Sequence, residues 1–186
     1  MEFYRVLNWN PAARTPSENG HPLFVWPAQG HGRVDDPADD YLVLYVGSDQ
    51  DGAVAEAFGR FPVWSPAILE VPAAAPTGTK KALVKYTGTP HILDMDDPRV
   101  LADLGLRPSQ VINRDYKTTQ QWARSVFDTG KHDGLSWWSF YGAQWSSIGL
   151  WNWRSLSVEG DPEVLTLSHP AVELAAAEIA RTITPK

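Results

Sequence analysis

Short runs rich in β-branched and aromatic residues recur along the whole chain, separated by Gly- and Pro-containing stretches and by few segments with a helical period. Residues 3–7, 23–26, 42–46, 68–71, 83–87, 135–138, 155–158 and 164–167 have the composition of strands half-buried on a pleated surface. Three segments have the spacing of helices. The first covers 49–58: the Ser48 hydroxyl is expected to cap it, acidic residues suit its first turn, and Gly59 ends it. The second covers 119–129, with Thr118 and Gln121 in a capping arrangement, Trp122 and Val126 on one face and Gly130 as the stop. The third follows Ser168 and places Val172, Ala175, Ala176 and Ile179 on one stripe. Strands and helices do not alternate regularly, which predicts an α+β fold with a mixed, twisted sheet core over a doubly wound one. The connecting stretches are too short to be linkers, no repeat is present, and 186 residues with 43% hydrophobic content suit a single domain spanning 1–186.

The formal net charge of −6, with no Lys/Arg run, argues against duplex nucleic acid as a partner. The absence of cysteine excludes disulfides, thiolate catalysis and Cys-type zinc sites. Neither a signal-peptide pattern nor an apolar run of spanning length occurs, so a soluble, cytoplasmic protein is expected, with no membrane partner.

Motifs narrow the chemistry further. The histidines at 21, 31, 91, 132 and 169 lack the i, i+3 or i+4 spacing of helix-borne ligands, so no metal site is expected. Asp94, Asp96 and Asp97 precede an amphipathic run containing Val100, Leu101 and Leu104, where capping is the better reading than cation binding. G-x-S-x-G, P-loop and G-x-G-x-x-G patterns are absent. What remains is a scattered polar set in aromatic surroundings: Tyr4, Arg5, Arg33, Tyr45, Glu56 and Ser139. Glu56 stands among small and apolar neighbours in AVAEAFG, so an inward-pointing carboxylate needing a cationic or hydrogen-bonding partner is expected, with Arg33 or Arg5 as candidates. A buried structural ion network of the same residues stays open as the alternative. Five of the nine tryptophans lie in 132–153. Strand alternation there puts Trp137 and Ser139 on one face, and Trp138, expected in the core, with Ser136 on the other. Trp145, Trp151 and Trp153 are expected to brace a Gly/Ser-rich loop or wall a pocket.

In this order and spacing the residues resemble the RES domain family, bacterial toxins usually encoded beside an Xre-type antitoxin and named for an arginine, a glutamate and a serine. FYRV, with Tyr4 and Arg5, is similar to the family's N-terminal Y-R strand, and HGRVDDP, with Arg33, to its G-G-R-W-N-P loop. LYVGSDQDGAVAE, with Tyr45 eleven residues before Glu56, resembles L-Y-x-(A/S)-x-S-x-x-x-A-x-x-E. TTQQWA followed by DGLSWWS resembles a T-Q-x-(L/I/W)-A helix and a D-G-(L/I)-x-x-x-S strand, placing the family serine at Ser139, with Ser136 as a competing hydroxyl. Asn152 in GLWNW matches a later family asparagine. The chain departs from the pattern at His31, at Val34-Asp35-Asp36-Pro37 in place of W-N-P, and in the aromatic flanks of Ser139. The carboxylates added beside Arg33 predict weakened pyrophosphate binding there.

The resemblance implies a fold akin to ADP-ribosylating toxins and cleavage of the nicotinamide–ribose bond of NAD+ by phosphorolysis or hydrolysis. NAD+ is then substrate, phosphate the co-substrate in the first case, and no other cofactor is implied. In that reading Arg33, Glu56 and Ser139 are catalytic, and Tyr4, Arg5, Tyr45 and Asn152 bind NAD+. An Xre-family antitoxin and a homodimer are the implied protein partners. Two other classes stay open: an ADP-ribosyltransferase modifying a protein, and a non-catalytic RES-like binding module using exposed tryptophans.

Overall fold

The computed structural model describes residues 1–113 and 115–185. In chain order its strands are β1 (Glu2–Trp9), β2 (Leu44–Gly47), β3 (Val63–Trp64), β4 (Lys80–Thr87), β5 (Ile92–Asp94), β6 (Gly134–Trp138), β7 (Ser146–Leu150), β8 (Ser157–Val164) and β9 (Thr182–Ile183). The helices are α1 (Gln50–Phe58), α2 (Pro98–Asp103), α3 (Pro108–Val111), α4 (Tyr116–Phe127) and α5 (Pro170–Glu178). Seven strands form one mixed sheet in the order β5-β6-β7-β2-β1-β4-β8, antiparallel except between β5 and β6. β3 and β9 form a small parallel pair. The architecture is α+β, as the irregular order of strand and helix patterns predicts.

Directly paired residues share a face of a sheet. Tyr4 pairs with Gly47, Gly47 with Ser147, and Ser147 with Trp137, which lays a row of residues across four strands on one face. At one end of that face α1 and α5 cover Tyr4, Leu83 and Leu165 with Val54, Phe58 and Val172. At the other end α4 covers Val43, Leu135 and Trp137 with Trp122 and Val126. The opposite face buries Phe3, Leu44, Val84, Tyr86, Ile148 and Leu150 under Leu156, Leu23, Val25 and Trp153.

Several expected boundaries differ, each for a local reason. Residues 23–26 form no strand: Leu23 and Val25 pack on the far face of the sheet as a covering loop between Pro22 and Pro27. In residues 68–71 the apolar run is preceded by Pro66, and a 3-10 turn spans Pro66–Leu69, where the Ile68 N–H donates to the Ser65 carbonyl. A single edge strand, β8, takes in residues 157–158 of the first run and Val164 of the second and crosses Gly160 (φ 70°) between them, while residues 155–156 and 165–167 lie outside it. Residues 42–43 precede β2. Ser48 does not cap α1. Its hydroxyl donates to Asp49 Oδ2 at 2.5 Å and accepts the Ser146 N–H at 3.0 Å, so it ties the helix start to β7 while Asp49 occupies the N-cap. α4 begins three residues earlier than expected, because Asp115, not Thr118, is its N-cap and accepts the Lys117 N–H. It ends at Phe127 with Asp128 as the C-cap, two residues before the expected end, and Gly130, at φ 64°, turns the chain just beyond. Asp97 caps α2 through the Arg99 N–H, the structural role expected for that acidic group.

Candidate functional site

β1 pairs with β4 along its full length but meets β2 at a single pair, Tyr4↔Gly47. The two strands separate beyond that point, and a cavity of about 780 Å³ opens over the gap. Arg5 and Val6 of β1, Tyr45 and Gly47 of β2, Glu56 of α1 and Ser147 of β7 all line it. Trp137, Tyr141 and Trp145 contribute walls, and the exposed rings of Phe140 and Tyr116 also line it. Trp145 packs against α1 where residue 52 is glycine, since a Cβ there would lie 2.9 Å from Trp145 Cγ.

Arg33 reaches the cavity on a loop held from three sides. Asp35 Oδ2 accepts the N–H groups of Gly30 (2.9 Å) and Gly32 (2.7 Å), and its Oδ1 accepts the Tyr45 hydroxyl at 2.6 Å. From α4, the Thr119 hydroxyl donates to the Arg33 carbonyl at 2.5 Å, and Gln120 Nε2 donates to the carbonyls of Gly30 and Gly32 at 3.0 and 2.8 Å. Arg33 itself spends Nη1 on the carbonyls of Val111 and Asn113, at 2.6 and 2.7 Å, and its guanidinium lies 5.5 Å from the centre of the Tyr116 ring. Burial lowers the Arg33 pKa, and the negative ends of Tyr116, Glu56 and Tyr45 oppose that shift. An arginine starts so far above neutrality that it stays charged. The added carboxylates of the loop are buried. Asp35 is 4% exposed and Asp36 3% exposed; Asp36 accepts the N–H groups of Ala38 and Asp40 and the Arg124 guanidinium. The charge that the sequence adds beside Arg33 is consumed in building the loop.

Glu56 is exposed toward the cavity, not buried. Its Oε1 accepts the Ser139 hydroxyl at 2.5 Å and the Ser147 hydroxyl at 3.0 Å. Neither Arg33 nor Arg5 forms an ion pair with it among the described residues, though its charge is one of those that oppose the lowering of the Arg33 pKa. Ser139 is 3% exposed and fixed twice more, its Oγ accepting the Tyr141 N–H at 3.1 Å and its N–H donating to the Trp145 carbonyl at 2.8 Å. Arg5 Nη1 donates to the Phe24 carbonyl at 3.0 Å, and the Tyr4 hydroxyl donates to Glu2 at 2.7 Å. Tyr45 is held as a neutral phenol, since burial and the Asp35 carboxylate push its pKa well above the ordinary value.

Tyr4, Arg5, Arg33, Tyr45, Glu56 and Ser139 therefore meet at one cavity. Asn152 is not part of it: its amide donates to Asp133 Oδ1 at 2.6 Å and its N–H to the Asp133 carbonyl, closing the turn before β6. Ser136 points to the other face of β6 and donates to Asp94 at 3.2 Å, so of the two candidate serines Ser139 is the one that lines the cavity. Trp138 is half-buried instead of in the core, its N–H bound by Asp96. Of the three later tryptophans only Trp145 walls the cavity. Trp151 packs on Tyr41 and Phe127, and Trp153 against the far face of the sheet. Ser147 escaped the sequence reading because it lies in what reads as a Gly/Ser-rich loop. Its signal was the alternation of Ser147 and Gly149 on one face of β7, continuing from Trp145 just before the strand, where Gly149 makes room for the methyls of Val34 and Val43. Among the described residues, no group of three or more His, Asp or Glu is placed to hold a metal ion, and no helix is long and apolar enough to cross a membrane.

A chain in the crystal structure of the M. tuberculosis MbcT–MbcA toxin–antitoxin complex is similar in fold, with a TM-score of 0.60 at 15% sequence identity, covering 96% of this chain and 88% of that one. No curated protein matches the chain. The family model described as the RES domain matches residues 3–180, from the first strand of the sheet past the last helix, and the chain belongs to that family.

Proposed function

We propose that this protein consumes NAD+ by cleaving its nicotinamide–ribose bond, with water or phosphate as acceptor. The observation that carries the reading is the Glu56 carboxylate, aligned by two hydroxyls in a cavity that Arg5 and Arg33 also line. As the C–N bond breaks, its electron pair leaves with nicotinamide and the ribose gains oxocarbenium character, which a fixed carboxylate stabilises. Guanidinium groups pair with phosphate oxygens, so Arg5 and Arg33 are the groups suited to the dinucleotide's diphosphate. Tyr4, Tyr45, Trp137 and Trp145 supply flat surfaces for a cationic ring. The cavity volume falls within the range usual for small-molecule sites. The likeness to a chain crystallised in a toxin–antitoxin complex supports a toxin held by a protein antitoxin, of the Xre type that the family resemblance implies.

Nicotinamide release from NAD+, with and without phosphate, tests the reading for the wild type and Glu56→Ala. Turnover that is lost in Glu56→Ala is the expected result, and dependence on phosphate selects phosphorolysis over hydrolysis. Intact NAD+ in every reaction overturns the enzyme reading. Nicotinamide release that requires an added protein acceptor points instead to ADP-ribosyl transfer.

A further inference from the structure

Two serine hydroxyls from different strand segments converge on one oxygen of one carboxylate. Ser139 Oγ and Ser147 Oγ lie 2.5 and 3.0 Å from Glu56 Oε1. Each hydroxyl has a single proton to give and an ionised carboxylate only accepts, so the acceptor positions of Oε1 are filled. A carboxylate held by one hydroxyl can rotate and exchange its two oxygens. A second donor on β7, fixed by the pairing of Ser147 with Gly47 and Trp137, opposes that exchange. The geometry points to Ser147 as a second positioning residue for Glu56, leaving Oε2 as the oxygen that meets the ribosyl cation, an inference that rests on the NAD+ reading above. In the hydrolytic case the C–N electron pair departs with neutral nicotinamide, a water oxygen bonds to the ribose carbon, and the water's proton passes through Oε2 to solvent. NAD+ and water then give nicotinamide, ADP-ribose and a proton. In the phosphorolytic case a phosphate oxygen forms the new bond.

The test uses the whole protein with Ser147→Ala and Ser147→Thr, reading steady-state nicotinamide release and the 13Cδ resonance of Glu56, assigned with Glu56→Gln. Loss of one hydrogen bond to a charged group predicts that Ser147→Ala lowers kcat about tenfold with KM for NAD+ changed by less than about twofold. The Glu56 resonance shifts in Ser147→Ala, and Ser147→Thr, which restores the hydroxyl, recovers most of kcat and returns the resonance. Wild-type kcat in Ser147→Ala, a raised KM at unchanged kcat, or an unmoved resonance overturns the assignment. A wild-type protein that releases no nicotinamide defeats the NAD+ reading by itself, and the resonance in Ser147→Ala then still decides whether Ser147 holds Glu56.

Discussion

Asp35 accepts the Tyr45 hydroxyl with one oxygen and the backbone N–H groups of Gly30 and Gly32 with the other, so one buried carboxylate joins β2 to the loop that carries Arg33. Removing it leaves three donors without an acceptor. At roughly 1 kcal/mol for each, Asp35→Ala is expected to lower unfolding free energy by about 3 kcal/mol. Tyr45→Phe removes one of the three bonds together with the bond its oxygen accepts from the Val34 N–H, and should cost about 2 kcal/mol. Urea denaturation of the two variants checks the ratio, and equal losses would contradict the hub.

Arg33 anchors one guanidinium nitrogen, Nη1, on the carbonyls of Val111 and Asn113 while lining the cavity. Lysine keeps the charge but has no planar fork, so Arg33→Lys is expected to lower kcat/KM for NAD+ by about tenfold or more. Kinetics indistinguishable from wild type would remove Arg33 from the site.

Gly52→Ala sets two effects against each other. Alanine favours the helix by about 1 kcal/mol, but the new methyl meets Trp145 at Cγ and Cβ, the stiff end of that side chain, where overpacking costs about 1–3 kcal/mol. A net loss of about 1 kcal/mol is expected, together with a displaced cavity wall. A raised Tm for this variant would show that Trp145 yields without cost.

His132 gives the fold a pH dependence. Burial first, then the charges of His91 and Lys131, lower its pKa from 6.5, while Asp133 opposes them. Its ring stacks on His91 with centroids 4.7 Å apart, and its Nδ1 is buried without a hydrogen-bond partner among the described residues. The folded form therefore binds the proton less tightly than the unfolded chain. The resulting contribution is complete above about pH 6.5 and is lost as pH falls through the lowered folded value. His21, also lowered by burial, acts in the same direction. Melting His132→Gln beside the wild type isolates the His132 share: Tm should fall less between neutral and mildly acidic pH in the variant, and parallel curves would exclude the effect.

The elements that read clearly in the sequence are those whose pattern and packing agree. Trp122 and Val126 sit four apart and both are buried under α4, and Trp137 of β6 and Ser139, one residue past its end, both line the cavity. β7 did not read as a strand, because Ser146, Ser147 and Gly149 carry little β propensity and are selected by neighbours far away in sequence. The site was legible as a set of residues but not as a set of contacts. Glu56 was matched with arginines on charge alone, whereas tertiary placement gives it two neutral hydroxyls. Asn152 was matched by order along the chain, and its amide is committed to Asp133.

The single register pair between β1 and β2 divides the large sheet into two separately knit halves, β5-β6-β7-β2 and β1-β4-β8, with α1 lying across the join. Arg5 belongs to one half, Tyr45 and Ser147 to the other. A ligand filling the gap is thus a cross-link between two cooperative units, not merely a guest on a surface. Its binding should raise amide-exchange protection on both sides of the seam at once, reaching strands that never touch it.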